Sequence, residues 1–84
     1  MPTILILNGL NLVIYPADHR PANVHVQGAG FEIVFHLNCP DGPLGVRGIK
    51  GKVSNASICR VAKLIVPSLS TLCGAWRNIH GNYK

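Results

Sequence analysis

Apolar and polar residues alternate along two stretches in the N-terminal half of the chain. Residues 23–27 and 31–37 carry an apolar side chain at almost every second position. Such alternation is typical of a strand with one side buried and the other side in solvent. We therefore predict two strands that form a hairpin around the intervening Gly28-Ala29-Gly30.

The glycine-containing loop sets the predicted register of this hairpin. A two-residue Gly28-Ala29 loop is a type II′ turn, which takes glycine at its first position. A three-residue loop would set His25 against Ile33 and mix apolar with polar side chains on each face. The two-residue loop keeps them apart, and we prefer it. It predicts three opposed pairs: Val26 with Phe31, Val24 with Ile33, and His25 with Glu32.

A further hairpin is predicted at the start of the chain. Residues 3–7 are apolar and rich in β-branched side chains, and Asn8-Gly9 is the strongest short hairpin signal known. Residues 10–15 complete the pair. The expected opposed pairs are Leu5 with Leu12 and Ile4 with Val13. Both faces of this hairpin are largely apolar, so we expect it to be covered on both sides.

The segment that follows the hairpins predicts a flexible loop. Residues 39–53 contain CPDGP, which is strong turn chemistry, and then a glycine at every third position among basic residues. This spacing does not match the phosphate-binding loop GxxxxGK[ST]. We therefore predict a basic Gly/Pro-rich loop that is not a nucleotide site.

A period of three to four residues replaces the alternation in the C-terminal part. Ser54 can cap a helix. The apolar positions after it fall on one side of that helix: Ile58, Val61, Ile65, Leu69, Leu72, Trp76 and Ile79. Proline inside a helix removes one backbone hydrogen bond, so Pro67 predicts either one kinked helix or two helices that meet there. Gly81 suits the C-terminal cap.

These patterns predict an α+β fold in a single small domain, residues 1–84. Residues 1–38 would form a four-stranded antiparallel meander sheet from the two β-hairpins. Residues 39–53 would form the basic loop, and residues 54–80 the helical region. We expect the kinked helix or helical hairpin to pack on one face of the sheet.

Charge is distributed unevenly along the chain. The net charge is +5 at pH 7, and the three acidic residues all lie in the first half: Asp18, Glu32 and Asp41. Seven basic residues and no acidic one follow Gly42. This asymmetry indicates nucleic acid or an acidic partner protein as the ligand, with a solvated surface kept soluble by like charge as the alternative. The candidate binding residues are Arg47, Lys50, Lys52, Arg60 and Lys63.

The cysteines and the apolar segments bear on the cellular compartment. Cys39, Cys59 and Cys73 are an odd number without a CxxC motif, which favours reduced, mostly buried thiols in the cytoplasm. No apolar run approaches the roughly 20 residues of a membrane-spanning helix. The first ten residues lack the basic segment and the cleavage site of a signal peptide. We therefore expect a cytoplasmic protein with no membrane contact.

Four histidines suggest metal binding or acid–base catalysis. In the predicted register His36 lies opposite Pro21, about 13 Å from His25 at roughly 3.3 Å per residue. That separation is too large for one metal ion, so we expect no metal or cofactor, and an ion pair between His25 and Glu32. The catalytic alternative is a metal-independent ribonuclease site that flanks a phosphate with cationic groups. Its candidate residues are His19, Arg20 and His25.

Four segments of the chain resemble a known family. These segments are MPTIL, VIYPADHRPANVHVQGAGFE, LNCPDGP and LCGAWRNIHG, and they are similar to the small bacterial family called domain of unknown function 4160. Its members usually carry a further histidine at the position of Asn23 and an acidic segment where this chain reads GIKGKVSNAS. The resemblance implies a β-rich N-terminal half followed by helix. It also implies a gene paired with another small protein, in an arrangement that resembles toxin–antitoxin modules.

The functional expectation combines the charge with this resemblance. It is a small basic cytoplasmic protein, one component of such a paired module, that binds nucleic acid or an acidic partner protein. Two alternatives stay open: the ribonuclease described above, and a purely structural interaction module with no nucleic-acid role. Against the ribonuclease stands the interpretation that residues 18–20 only tie their loop to the helix by hydrogen bonds.

Overall fold

Five strands and two helices make up the part of the chain that the computed structural model describes, residues 3–18 and 21–81. The strands are β1 (Thr3–Leu7), β2 (Leu10–Val13), β3 (Asn23–Gly28), β4 (Phe31–His36) and β5 (Gly45–Gly51). They form one antiparallel sheet in chain order. Helices α1 (Asn55–Ile65) and α2 (Leu69–His80) follow, joined by a 3₁₀ turn at Val66–Ser68. The predicted α+β class is confirmed, with five strands instead of four.

The helices cover one face of the sheet, here called the inner face. Alternate residues of a strand point to the same side, and the apolar ones on this face share a core with the stripe of the helices. The sheet contributes Leu12, Val24, Val26, Ile33 and Phe35, and the helices contribute Ile58, Val61, Ile65, Leu72 and Trp76. The opposite side, here called the outer face, carries the polar side chains that alternate with them.

The first hairpin turns at Asn8-Gly9 as predicted. Both loop residues have positive φ, 48° and 78° in that order, as a type I′ turn requires. The structure has these pairs: Leu5 with Leu12, and Thr3 with Val13. An irregularity between them shifts the register, so the prediction that Ile4 faces Val13 is wrong. The expected cover on both sides is also wrong, because β1 ends the sheet and Ile6 is 67% exposed.

The second hairpin turns one residue later than predicted. Gly28 lies opposite Phe31, so the two-residue loop is Ala29-Gly30, with a φ of 80° at Gly30. Gly28 leaves room for the ring of Phe31, since a Cβ at position 28 would overlap that ring where it lies. The observed pairs are Val26 with Ile33, Val24 with Phe35, His25 with Val34, and Gln27 with Glu32. Each pair has moved by two residues along one strand, which leaves every side chain on its predicted face.

Residues 45–51 form strand β5 within the segment predicted to be a loop, and they pair with β4. A bulge at Arg47 adds one residue to β5, because Val46 and Gly48 pair with consecutive residues of β4. The extra residue places Val46 and Ile49 three positions apart on the same face. That spacing removes the alternation by which a strand is identified in a sequence, and glycines at three positions lower the β-propensity further.

The helical region has the predicted caps. The Ser57 N–H donates to Ser54 Oγ at 3.1 Å, and the N–H of the left-handed Gly81 donates to the Arg77 carbonyl at 2.7 Å. Pro67 lies in the 3₁₀ turn between α1 and α2, where its missing N–H removes one bond of the helical ladder. The apolar stripe continues from α1 into α2, since both helices contribute to the core. The predicted interruption of the helical region at Pro67 is therefore confirmed.

By length and composition, the helical segment from Asn55 to His80 is long and apolar enough to cross a membrane. It spans 26 residues, whereas the sequence predicts no apolar run of that length. The core helix of a soluble protein passes the same test. Here the apolar stripe packs on the sheet while Arg60 and Lys63 are exposed on α1, which fits a helix that covers a sheet.

A disulfide joins Cys39 to Cys73, with their Cα atoms 5.8 Å apart. It links the turn after β4 to α2 across 34 residues. The prediction of reduced, buried thiols is therefore wrong for this pair, and Cys59 is exposed instead of buried. Spacing alone does not show such a bond, because it depends on how α2 returns to the end of β4.

Candidate functional site

A polar cluster centred on His25 occupies the outer face of the sheet. The His25 Nε2 lies 3.0 Å from Asp18 Oδ1, and its Nδ1 lies 3.0 Å from Glu32 Oε2. The side chains of His25, Asp18 and Glu32 are 16%, 12% and 19% exposed. An ionised carboxylate only accepts hydrogen bonds, so both contacts are satisfied when both ring nitrogens carry a proton. The predicted pair of His25 with Glu32 is therefore present, as diagonal rather than directly opposed neighbours.

Further contacts fix this cluster in place. Asp18 Oδ2 accepts the Tyr15 backbone N–H at 3.0 Å, and the Tyr15 ring meets the His25 imidazole edge-on, with centroids 4.8 Å apart. The Gln27 amide donates to the Tyr15 hydroxyl at 2.9 Å and to Glu32 Oε1 at 3.1 Å. The cluster thus links β3, β4 and the segment after β2 through side chains that each have more than one partner.

The contacts within this cluster lower the pKa of Glu32. The hydrogen bond from His25 lowers the pKa of Glu32 below its usual value of 4.5, against the raising effect of burial. The Gln27 amide and the charges of His25 and Lys50 lower the pKa of Glu32 further. Its carboxylate is therefore ionised throughout the neutral range.

An open cleft of about 290 Å³ lies beside the cluster. Its lining residues are Ala17, Asp18, His25, Val34, Arg47 and Gly48. Gly48 leaves the space open, since a Cβ there would meet no atom within 4 Å. The cleft offers a guanidinium, a carboxylate and an apolar wall, which suits a polar side chain of a partner. Among the described residues, no group of three or more His, Cys, Asp or Glu is arranged to hold a metal ion.

The three catalytic candidates are only partly placed by the structure. His19 and Arg20 lie outside the described residues. His25 is described, and a carboxylate lies against each of its ring nitrogens. A general base needs a ring nitrogen that can accept a proton from the reacting group. The contacts therefore favour a structural role for His25.

The other two described histidines do not belong to this cluster. His36 lies opposite Asn23, not opposite Pro21 as predicted, because the hairpin turns one residue later. The His36 Nδ1 is buried and has no hydrogen-bond partner in the described part of the chain. The ring of His80 stacks on Trp76 with centroids 3.8 Å apart, and its Nε2 lies 3.2 Å from the Tyr15 carbonyl oxygen.

The five candidate binding residues are all exposed, but they lie on two separate surfaces. Arg47, Lys50 and Lys52 belong to β5 or directly follow it, and are here called the basic edge. Arg60 and Lys63 lie on α1 and are here called the helical pair. A helix turns by about 100° per residue, which puts the helical pair on the side of α1 opposite to its buried stripe. A flat partner therefore contacts one of these two groups at a time.

Two half-exposed apolar side chains accompany the basic edge. Val46 is 49% exposed and Ile49 is 46% exposed. They pair with the buried Phe35 and Ile33 of β4, so they lie on the inner face where the helices no longer cover it. Within residues 3–18 and 21–81, β5 is the last strand of the sheet and pairs with β4 alone. Because the sequence predicts a loop here, it does not predict this strand edge. Two apolar residues among basic ones are a weak sequence signal for such an edge.

Comparison with known proteins adds no residue assignment. No family model, no curated protein and no solved structure matches the chain. The resemblance to the domain of unknown function 4160 family therefore stays a hypothesis.

Proposed function

We propose that this chain is a small binding protein that holds an acidic partner protein on the basic edge, as one member of a toxin–antitoxin-like paired module. One observation carries this proposal. On β5 and directly after it, three exposed basic side chains lie next to two half-exposed apolar ones. Membership of the domain of unknown function 4160 family and a cytoplasmic location belong to the same proposal.

A protein partner accounts for β5 better than nucleic acid does. Nucleic acid is held mainly through its phosphate charges, which gives no reason for Val46 and Ile49 to stay exposed. Protein interfaces combine an apolar centre with polar and charged groups around it. The mixed composition of β5 therefore favours a polypeptide as the ligand.

Charge reversal on the basic edge tests this function. The tagged chain is purified from its native host, and the proteins that co-purify with it are identified by mass spectrometry. We expect an acidic protein to accompany the wild-type chain and to be lost with the triple variant Arg47→Glu, Lys50→Glu, Lys52→Glu.

A matched control reverses three exposed basic residues of the helices: Arg60→Glu, Lys63→Glu and Arg77→Glu. This variant makes the same change in net charge and should retain the partner. Both variants must keep the circular dichroism spectrum of the wild type, and glutamine replaces glutamate where they do not. Equal loss of the partner in both variants, or its retention by the basic-edge variant, would contradict the proposal.

Nucleic acid is the second candidate, and the exposure of all five basic residues favours it. Because the basic edge and the helical pair face different ways, a duplex contacts at most three of these residues at once. Three neutralised phosphates give a log–log salt slope of about −2.7 on duplex DNA, at about −0.9 per phosphate. We expect such a slope only if the basic edge binds DNA. No binding at about 50 mM salt would remove this candidate.

The ribonuclease alternative depends on His19, Arg20 and His25. Within the described residues its weak point is His25, because carboxylates lie against both ring nitrogens. Cleavage of RNA by the purified chain, lost in His25→Ala or His19→Ala and retained by the basic-edge variant, would replace the function proposed above.

A further inference from the structure

We infer that β5 accepts an added strand, and that the strand is an extended segment of the partner with alternating apolar and acidic residues. This inference rests on the proposed function, which names the partner and its surface but not how the two combine. In the described part of the chain β5 pairs with β4 and has no strand on its other side. Its seven residues therefore present a row of backbone donors and acceptors about 23 Å long, at roughly 3.3 Å per residue.

A glycine lies in the middle of β5. Glycine inside a strand often marks a place where another backbone approaches closely. Gly48 lies in the middle of β5, and a Cβ there would meet no atom of this chain within 4 Å. The φ of Gly48 is not in the left-handed region, so its backbone conformation does not require glycine. Gly48 adjoins the bulge at Arg47 and lines the cleft, and the same lack of a side chain leaves this part of β5 open to a strand arriving from outside.

The charge of β5 decides which strand can occupy it. Two copies of β5 side by side would bring like charges together, a device by which sheet edges resist self-association. An acidic strand would instead be attracted to β5, because cross-strand pairs of opposite charge are stabilising. The other end of the sheet differs, since Thr3–Leu7 contains no charged residue and exposes Ile6. The basic edge therefore selects an acidic partner and disfavours a second copy of this chain.

The two faces of β5 specify the residue pattern of the added strand. On the inner face, Val46 and Ile49 are half exposed and would be covered by apolar side chains of the partner. On the outer face, Arg47 lines the cleft and Lys50 lies opposite Glu32. Acidic side chains of the partner would meet Arg47 and Lys50 there. Because a strand alternates between its faces, the matching segment alternates apolar and acidic residues over about five to seven positions.

A synthetic peptide tests this mode of binding without the natural partner. The probe is a capped eight-residue peptide in which valine and glutamate alternate, and the control peptide has lysine in place of glutamate. Binding is measured by calorimetry, and the contact is located by NMR through hydrogen exchange of the backbone amides. We expect the glutamate peptide to bind and to slow exchange at alternate amides of residues 45–51. The lysine peptide should not bind.

Variants and backbone methylation separate strand addition from simple charge attraction. Each cross-strand charge pair contributes on the order of twofold in affinity. The double variant Arg47→Gln, Lys50→Gln should therefore weaken binding about fourfold, and Arg60→Gln, Lys63→Gln should leave it unchanged. N-methylation of alternate residues removes the donors on one edge of the peptide. One of the two possible methylation patterns should abolish binding, although the charge of the peptide is unchanged.

Two results would overturn the inference. One is equal binding by both methylated peptides. The other is absent binding, or binding that slows exchange only outside residues 45–51. If partner capture still depends on the basic edge in either case, strand addition is wrong and the proposed function stands. If partner capture is also indifferent to the basic edge, both are wrong.

Discussion

Replacement of His25 by alanine tests how strongly the outer-face cluster stabilises the fold. The substitution removes two contacts to carboxylates, and a hydrogen bond to a charged group contributes about 1.5–3 kcal/mol. It also leaves Asp18 and Glu32 without the imidazole that lies between them. Since 12% and 19% of these two side chains is exposed, water screens part of the effect. We therefore expect the free energy of unfolding to fall by about 2 kcal/mol at pH 6.

The dependence of this loss on pH follows from the lowered pKa of Glu32. A carboxyl group whose pKa is lower in the folded state stabilises the fold above its unfolded pKa. That contribution is lost as the pH falls through the folded pKa. The usual value for Glu32 is 4.5. The effect of His25→Ala should therefore be complete at pH 6 and clearly smaller at pH 3.

Urea unfolding gives the required free energies, with fluorescence of the single, fully buried Trp76 as the signal. A loss of about 2 kcal/mol corresponds to a fall in Tm of about 10 °C for a domain of this size. A double-mutant cycle of His25→Ala with Glu32→Gln isolates the pair, and we expect a coupling of about 1 kcal/mol at pH 6. A coupling below about 0.3 kcal/mol, or an equal loss at both pH values, would refute the reasoning.

Three further predictions concern stability, and thermal or urea unfolding measures each of them. Gly28→Val should cost about 1–3 kcal/mol because its side chain overlaps the ring of Phe31, and an unchanged midpoint would show that the ring moves aside freely. Pro67→Ala should change stability by less than about 1 kcal/mol, since the 3₁₀ turn already accommodates a residue without an N–H. A gain near 3 kcal/mol would instead indicate one helix that the proline interrupts. Reduction of the bond between Cys39 and Cys73 should cost up to about 4 kcal/mol, because it closes a loop of 34 residues. An unchanged Tm after reduction would contradict the bond.

The features that could be predicted from the sequence are those decided by neighbouring residues. The Asn8-Gly9 turn needs only two residues that tolerate positive φ. The caps at Ser54 and Gly81 depend on one side chain and on one left-handed residue. The interruption at Pro67 follows from its missing N–H. Each of these signals is complete within one turn of the chain, so tertiary packing has little opportunity to override it.

The errors arise where packing competes with a local signal. The preference of II′ turns for glycine at their first position predicts Gly28 in the turn, but Gly28 lies in β3 and leaves room for the ring of Phe31. Turn residues and regularly spaced glycines predict a loop over residues 39–53, and the bulge at Arg47 breaks the alternation by which β5 would be recognised. The bond between Cys39 and Cys73 joins elements that no local rule relates. In each case the deciding contact lies with a residue that the local pattern does not contain.

The candidate site shows the same division. The contact of His25 with Glu32 is present despite the wrong register, because a shift of two residues keeps both side chains on the outer face. The second carboxylate, Asp18, was not predicted as a partner of His25. Its approach depends on the turn in which the Asp18 N–H donates to the Tyr15 carbonyl at 3.0 Å. The sequence predicts Arg47, Lys50 and Lys52 as binding residues. It does not predict that they lie along one strand edge, because it predicts a loop in place of β5.

The disulfide between Cys39 and Cys73 and the proposed cytoplasmic location indicate different cellular compartments. Disulfides persist in oxidising compartments, whereas thiols in the cytoplasm are kept reduced. Acid quenching of intact cells, followed by alkylation of the denatured protein, distinguishes the two. Three modified cysteines indicate a reducing compartment, and modification of Cys59 alone indicates an oxidising one. The binding surface itself does not depend on this outcome. Cys73 lies in the core at 2% exposure, where a free thiol behaves as a small apolar group, and β5 is held by its backbone pairing with β4.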